Sequence, residues 1–427
     1  MGLFYIQEMK IATLYKLYTK FFFIDIDTRN IRQNTLFFAL KGANFNGNEF
    51  AEKAIKLGAY YAVVDEEKYK THENIILVDD VLKTLQQLAH HHRKKLNIPI
   101  IGLTGSNGKT TTKELIQLIL SKKYKTIATK GNLNNHIGVP LTLLSMTPEH
   151  ELGVIEMGAN HQKEIEFLCT ICEPDFGYIT NFGKAHLEGF RGFKGVIKGK
   201  SELYTFLKEN NKIAFVNTID LIQVEKAKDI KSIYFNVDDL QFLEVNPFVR
   251  LTYKNTNIQS NLIGTYNYAN IEAAITIGEY FKVSKKAIKE AIESYTPTNN
   301  RSQIIKTKKN TLILDAYNAN PSSMSAALEN FATLAAKHKV IILGDMFELG
   351  KDSLEEHQKI VNLANSLDFK YQYFVGENFY QTNTARTQFK TYEDLEEYLK
   401  EHPLIHQTVL VKGSRGMRLE RVVPFMK

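Results

Sequence analysis

The sequence predicts an α/β protein of three domains, each built on a largely parallel sheet covered by helices. Three observations carry that expectation. A chain of 427 residues exceeds one typical core, and domains of about 100 to 200 residues are the norm. Short apolar runs alternate with stretches of helical period, the rhythm of strand–helix–strand units. At the centre, Ile100-Ile101-Gly102-Leu103-Thr104 reads as a strand that passes through a glycine turn into a helix carrying Leu115, Ile116, Leu118, Ile119 and Leu120. The domains are placed at residues 1–95, 96–299 and 300–427.

Composition narrows the classes. The chain is 44% hydrophobic and 24% charged, an ordinary globular balance, without an apolar run of membrane length. Residues 1–20 mix aromatics with Glu8, Lys10, Lys16 and Lys20, which argues against an export signal. A cytoplasmic protein with no membrane span is expected. The net charge is +7 and Trp is absent. Lysines are scattered, with no recurring basic and aromatic stripe, so small anionic substrates such as nucleotides are expected and nucleic acid is not. Cys169 and Cys172 form a C-x-x-C pair without two further ligands at metal spacing, which reads as two buried thiols.

In the first domain Thr35–Leu40 is strand-like, Phe50–Leu57 a helix ended by Gly58, and Tyr60–Val64 and Ile75–Val78 further strands. A helix from about Asp80 runs through His90-His91-His92-Arg93; adjacent histidines cannot share one face, so a solvated helix end is expected there. Lys41–Asn48 reads as a polar loop. In the second domain Thr126–Thr129 and Ile213–Asn217 are strands, and Gly131–Pro140 is a loop entering a helix. Leu152–Ala159 is a strand carrying Glu156, and Gly177–Asn181 another with polar residues at its end. Asp238–Tyr253 suggests short antiparallel strands, and Asn267–Tyr280 and Ser284–Ser294 are helices. The third domain alternates strands at Thr311–Asp315, Val340–Asp345, Tyr371–Gly376 and Thr408–Gly413 with helices at Ser322–Ala336, Ser353–Leu367 and Tyr392–Lys400. It has no phosphate cradle of its own and is expected to close over a ligand bound elsewhere.

Chemistry concentrates at Thr104-Gly105-Ser106-Asn107-Gly108-Lys109-Thr110-Thr111. A turn of this kind aims backbone N–H groups at one point, and the following helix adds its positive end. Lys109 would reach the outer phosphates of a nucleoside triphosphate, and Thr110 would place its hydroxyl on Mg2+. The usual glycine four residues earlier is replaced by Leu103. In an open parallel sheet ligands collect at the carboxyl ends of strands, which puts Glu156 near the cradle. Glu156 and His186 are candidate metal ligands, and two metals would clamp the transferring phosphoryl group and an acceptor carboxylate. Asp315 is a candidate for a ribose hydroxyl and Arg301 for a phosphate. Hydrolysis driving motion, phosphorylation of a small molecule, and activation of a carboxylate for ligation all remain open on these residues.

Taken together, these stretches resemble the ATP-dependent Mur ligases that build the cell-wall precursor. The likeness runs over essentially the whole chain. Thr104–Thr111 matches the family cradle T-G-[ST]-[NS]-G-K-T-[ST], which accounts for the missing glycine. Gly131–Leu144, Glu156-Met157-Gly158-Ala159-Asn160, Ala316–Met324, Leu343–Gly350 and Val411-Lys412-Gly413-Ser414-Arg415 look like those of the member that adds D-alanyl-D-alanine to a UDP-N-acetylmuramoyl-tripeptide.

The resemblance implies a small N-terminal α/β domain for the uridine nucleotide, a central P-loop ATPase-like domain, and a C-terminal Rossmann-like domain that brings the dipeptide. It implies an acyl phosphate on the tripeptide carboxylate, ATP with two Mg2+ ions, and a monomer. By matching position, Thr104, Gly105, Asn107, Gly108, Lys109, Thr110 and Thr111 hold the phosphates, Asn267 and Asn270 the adenine, Arg301 a phosphate and Asp315 the ribose. Thr110, Glu156, His186 and Lys200 are the metal ligands, with Lys200 carbamylated; Lys198 is its neighbour. Lys109, His186 and Lys200 carry the catalysis. Thr28 and Arg29, Asn134 and Asn135, and Asn318, Asn320 and Ser322 meet the substrates.

Asn46-Gly47-Asn48 stands where the family has Asp-Gly-His, Tyr266 where it has His, and Arg191 where it has Gly. The nearest alternative is the family member that adds the third stem residue. Such enzymes carry a D-N-P-R motif where this chain has Tyr317-Asn318-Ala319-Asn320-Pro321-Ser322.

Overall fold

The computed structural model describes residues 11–235, 239–298 and 300–427. The expectations that rested on Met1–Lys10, Asp238 and Asn299 lie outside the described residues. In the first unit Ile24–Asp25, Leu36–Phe38, Tyr61–Val64 and Ile75–Leu77 pair in that order as a parallel sheet. Leu36, Phe37 and Phe38 are all buried, as strands covered on both faces must be. The helix over Ala51–Lys56 stops before Gly58, whose φ of +114° only glycine takes without strain. Lys41–Asn48 is more ordered than a loop: Lys41–Gly42 and Phe45–Asn46 pair antiparallel. Asn48 donates to Asp65 Oδ1 at 2.9 Å and Asn46 to Glu66 Oε1 at 2.9 Å, tying the turn to the end of the neighbouring strand.

The helix Val81–Leu96 corrects one expectation. Its end is not solvated at the histidine run. His92 is fully buried, with Nε2 3.0 Å from Met146 O and ring nitrogens 3.3 Å from the hydroxyls of Tyr15 and Tyr18. Arg93 is buried as well, donating to Cys172 O, Glu173 O and Asp175 Oδ2. This helix end is a joint between the first and second units, and its partners lie too far along the chain for a local pattern to reveal.

Burial pushes the His92 imidazole down to about 4. The unfolded chain titrates near ~6.5, so it takes up a proton that the native joint refuses. The stabilisation is therefore complete above about 6.5 and is lost as pH falls from there toward 4, a gap worth about 3 kcal/mol. Thermal melts at neutral and mildly acid pH are expected to show a smaller acid-induced drop for His92→Gln than for the parent. Equal drops would put the acid sensitivity elsewhere.

In the second unit six parallel strands run in the order Lys231–Tyr234, Ile213–Val216, Phe176–Ile179, Ile100–Thr104, Leu152–Glu156, Thr126–Ala128. The helix Lys109–Leu120 packs on Tyr266–Tyr280, so closely at Gly278 that a Cβ there would come 2.4 Å from Ile119 Cγ2. Cys169 and Cys172 are buried free thiols on the helix Glu164–Cys172, their sulfurs 3.9 and 3.8 Å from Met157 Sδ. Among the described residues the antiparallel region has three strands, Leu240–Val245, Phe248–Tyr253 and Thr256–Ile263, the last lying beyond the Asp238–Tyr253 stretch that the sequence suggested.

In the third unit the order is Gln303–Lys306, Thr311–Asp315, Thr408–Lys412, Lys339–Gly344, Tyr371–Val375, Thr387–Phe389. All pairs are parallel except the first. The two edge strands were not expected from the sequence. No helix among the described residues is long and apolar enough to cross a membrane.

Candidate active site

The cradle strand Ile100–Thr104 lies between Phe176–Ile179 and Leu152–Glu156, so Thr104, Glu156 and Thr180 emerge together at the carboxyl ends of neighbouring strands. Gly105 turns the chain at φ +137°, where a Cβ would sit 2.0 Å from Thr180 Oγ1. Gly108, at φ +80°, opens the helix Lys109–Leu120. Asn107 is clasped between them. Its N–H donates to Asn181 Oδ1 at 3.1 Å, and its carbonyl accepts from Thr180 Oγ1 at 2.6 Å and Asn181 Nδ2 at 3.0 Å. Lys109 folds back so that Nζ donates to Gly105 O at 2.7 Å and Ser106 O at 3.2 Å. Burial pushes its ammonium down to about 8, against the pull of Glu156.

Glu156 is nearly inaccessible. Its Oε1 accepts from Asn134 Nδ2 at 2.8 Å and Thr110 Oγ1 at 3.3 Å, while the buried Oε2 has no hydrogen-bond partner among the described residues. Lys113 Nζ lies 3.9 Å from that oxygen. A bare buried carboxylate oxygen beside a threonine hydroxyl is a donor set that suits a hard divalent cation.

The third unit completes the other wall. Asn320 Nδ2 donates to Asn107 Oδ1 at 2.7 Å, and Lys184 N donates to Ser322 Oγ at 2.9 Å. Asp315 accepts from Lys412 Nζ at 2.6 Å and from Ser302 N at 3.0 Å. The Arg301 guanidinium stacks 3.8 Å above the Tyr317 ring, its buried Nε without a hydrogen-bond partner among the described residues. Between the walls is a cleft of ≈ 710 Å3, ample for a nucleotide.

Sixteen of the expected residues line that cleft: Asn107 to Thr111, Asn134, Asn135, Glu156, His186, Asn267, Asn270, Arg301, Asp315, Asn318, Asn320 and Ser322. Thr104 and Gly105 lie behind it; Thr104 Oγ1 donates to Met157 O at 2.8 Å. Lys200 is also behind the wall, fully buried, with Nζ donating to Ala159 O at 3.0 Å and 4.9 Å from the centre of the Phe190 ring. Lys198 is exposed. Burial first, and then the charge of Lys109, hold the Lys200 amine well below its ordinary value. Thr28 and Arg29 sit on a short turn of the first unit, outside the cleft lining, where Arg29 pairs with Asp27.

Sequence reasoning gave no role to Lys113, Asn181, Glu348 or Lys412. Lys113 had a local signal, since it follows Lys109 by one helical turn and shares its face. Asn181 had a weaker one as a polar strand end. Glu348 and Lys412 act through partners 162 and 97 residues away.

Strand, cradle and buried carboxylate, faced across the cleft by the third unit, define a nucleoside-triphosphate-binding α/β protein. Three family models match in succession: Mur ligase family, catalytic domain, at 20–93, Mur ligase middle domain at 103–278, and Mur ligase, glutamate ligase domain, at 300–415. The chain belongs to the Mur ligase family. A UDP-N-acetylmuramoyl-tripeptide--D-alanyl-D-alanine ligase from Bacillus subtilis is 33% identical, covering 93% of this chain and 91% of the relative. A crystal structure of MurF from Acinetobacter baumannii agrees with a TM-score of 0.84 at 31% identity, over 94% of this chain and 92% of that one. MurF from Thermotoga maritima in complex with ADP gives 0.82 at 26% identity, over 95% and 96%.

Proposed function

We propose that this enzyme uses ATP to activate the terminal carboxylate of a UDP-N-acetylmuramoyl-tripeptide as an acyl phosphate and joins it to the amine of D-alanyl-D-alanine, releasing ADP and phosphate. The observation that carries this is likeness over more than nine tenths of the chain to ligases named for that reaction, on a cleft whose walls hold both a phosphate cradle and the Asn318–Ser322 turn.

A carboxylate resists attack until its oxygen becomes a good leaving group, and the charge that builds during phosphoryl transfer needs cations around it. Lys109 supplies one and Arg301 another. Thr110 and the bare Oε2 of Glu156 would hold Mg2+ with the nucleotide, and His186, together with a carbamylated Lys200, would hold a second ion. Such ions would supply positive charge to the phosphoryl oxygens as they gain negative charge. Thr104, Gly105, Asn107, Gly108 and Thr111 shape the cradle, Asn267 and Asn270 receive the adenine, and Asp315, held by Lys412, the ribose. Asn134 and Asn135 meet the tripeptide end; Asn318, Asn320 and Ser322 meet the dipeptide. Thr28 and Arg29 meet the uridine nucleotide. The division into residues 1–95, 96–299 and 300–427 gives each ligand its own domain. A cytoplasmic monomer fits this use of soluble precursors.

The test is phosphate release from ATP with two substrate pairs. Release is expected with UDP-linked muramoyl tripeptide plus D-alanyl-D-alanine, and only when both are present. Turnover with UDP-linked muramoyl dipeptide plus a diamino acid instead would make the chain the ligase of the preceding step.

A further inference from the structure

His186 and Glu348 belong to different units, yet the imidazole Nδ1 and the Glu348 carboxylate are in direct hydrogen-bond contact. Both residues hold left-handed backbone, φ 52° and φ 62°, which side chains other than glycine adopt only where the surroundings compel it. The two turns are zipped together. Glu188 N donates to Glu348 O at 3.2 Å, and Gly350, itself at φ +56°, lies so close that a Cβ would be 3.1 Å from Glu188 Cβ. Beside them Lys184 Nζ meets Glu356 Oε1 at 2.7 Å.

A half-exposed ion pair contributes little to stability, and Glu348 is 50% exposed. Two strained turns held face to face for so small a return point to a role other than cohesion. His186 lines the cleft. With Nδ1 taken by the carboxylate, Nε2 is the nitrogen left to meet a ligand, and an imidazole that binds a metal characteristically gives its other N–H to a carboxylate that fixes tautomer and ring orientation.

We infer that Glu348 is a positioning residue: as the third unit closes, its carboxylate orients the His186 ring and leaves Nε2 bare for a divalent cation, so that closure itself completes the cation site. This rests on the proposal above that His186 faces a metal. It adds that the ring is set from the far side of the cleft, and that an enzyme with its third unit swung away lacks this site in finished form.

The experiment is a Mn2+ titration followed by electron paramagnetic resonance on the full chain with a non-hydrolysable ATP analogue, alongside small-angle scattering to report closure. Glu348→Ala is expected to weaken the His186-dependent Mn2+ site by about tenfold or more. Glu348→Gln keeps an acceptor for the ring N–H and is expected to stay within a few fold. Glu356→Gln cuts the adjacent Lys184 pair and serves as the control for loosened closure. Combining Glu348→Ala with His186→Ala is expected to cost no more Mn2+ affinity than His186→Ala alone. An unchanged Mn2+ isotherm in Glu348→Ala, additive losses in the double variant, or a loss equal to that of Glu356→Gln at the same degree of opening would each overturn the inference. Failure of the parent to release phosphate with the tripeptide pair would count against the ligase reaction alone, because the Mn2+ isotherms do not depend on the acceptor.

Discussion

Lys109→Ala is expected to lower kcat for ATP-driven ligation by about 10² to 10³-fold, the usual loss when one preorganised charge is taken from a site of developing negative charge. The helix and cradle should survive. Among the described residues the Lys109 side chain makes two hydrogen bonds, to carbonyls of its own turn, and alanine is the best helix former for the position it opens. An ammonium held down to about 8 by burial also has a consequence for the parent enzyme. The nucleotide binds the protonated form, so above about pH 8 binding must first take up a proton. ATP affinity should then fall by about tenfold per pH unit, and below pH 8 it should be flat with respect to this group. Lys109→Ala should bind ATP weakly at every pH and lose that slope. Nucleotide titrations at neutral and alkaline pH check both parts. A slope that persists in Lys109→Ala would assign the titration to another group.

What could be read from the sequence was what lies close together in it. The cradle from Thr104 to Thr111 is contiguous, and each glycine sits where the backbone takes a conformation that other residues resist. Glu156 was found because a strand end in a parallel sheet has only one place to go. The edge strands Gln303–Lys306 and Thr387–Phe389 were missed because runs of so few residues carry no period. The third strand of the small antiparallel sheet, Thr256–Ile263, was lost among polar residues: its inward positions include Ser260, fully buried and donating to Val249 O. The reading of the histidine run failed for a different reason. Helical spacing said rightly that His90, His91 and His92 face different ways, but which face is covered depends on Tyr15, Tyr18 and Met146. The long-range pairs of the cleft, His186 with Glu348 and Asp315 with Lys412, belong to the same category. They are products of the tertiary fold: the sequence marked His186 and Asp315 as candidates, but nothing in it tied either to its partner.

Lys200→Met is expected to separate stability from function. In the folded protein the amine has one carbonyl acceptor and an aromatic face among the described residues, and burial holds it well below its ordinary value, so folding disfavours the charged form at a cost in stability. Met keeps the length of the side chain and removes that cost, while Ala159 O loses a donor worth about 1 kcal/mol. Melting temperature should therefore hold or rise. Activity should instead fall on the order of 100-fold, if the amine serves as the carrier of a carbamate. The local physics favours that chemistry, because only a neutral amine attacks CO2, and both burial and the nearby Lys109 charge shift this one toward the neutral form. The product would be a carboxylate, which the nearby Lys109 charge favours. Two readouts accompany the rate: a 13C carbamate resonance in the parent fed labelled bicarbonate, absent from Lys200→Met, and activity that falls in bicarbonate-free buffer and returns when it is restored. A stable Lys200→Met enzyme with full turnover would reduce Lys200 to a packing residue behind the Ala159 wall and leave His186 without its expected companion.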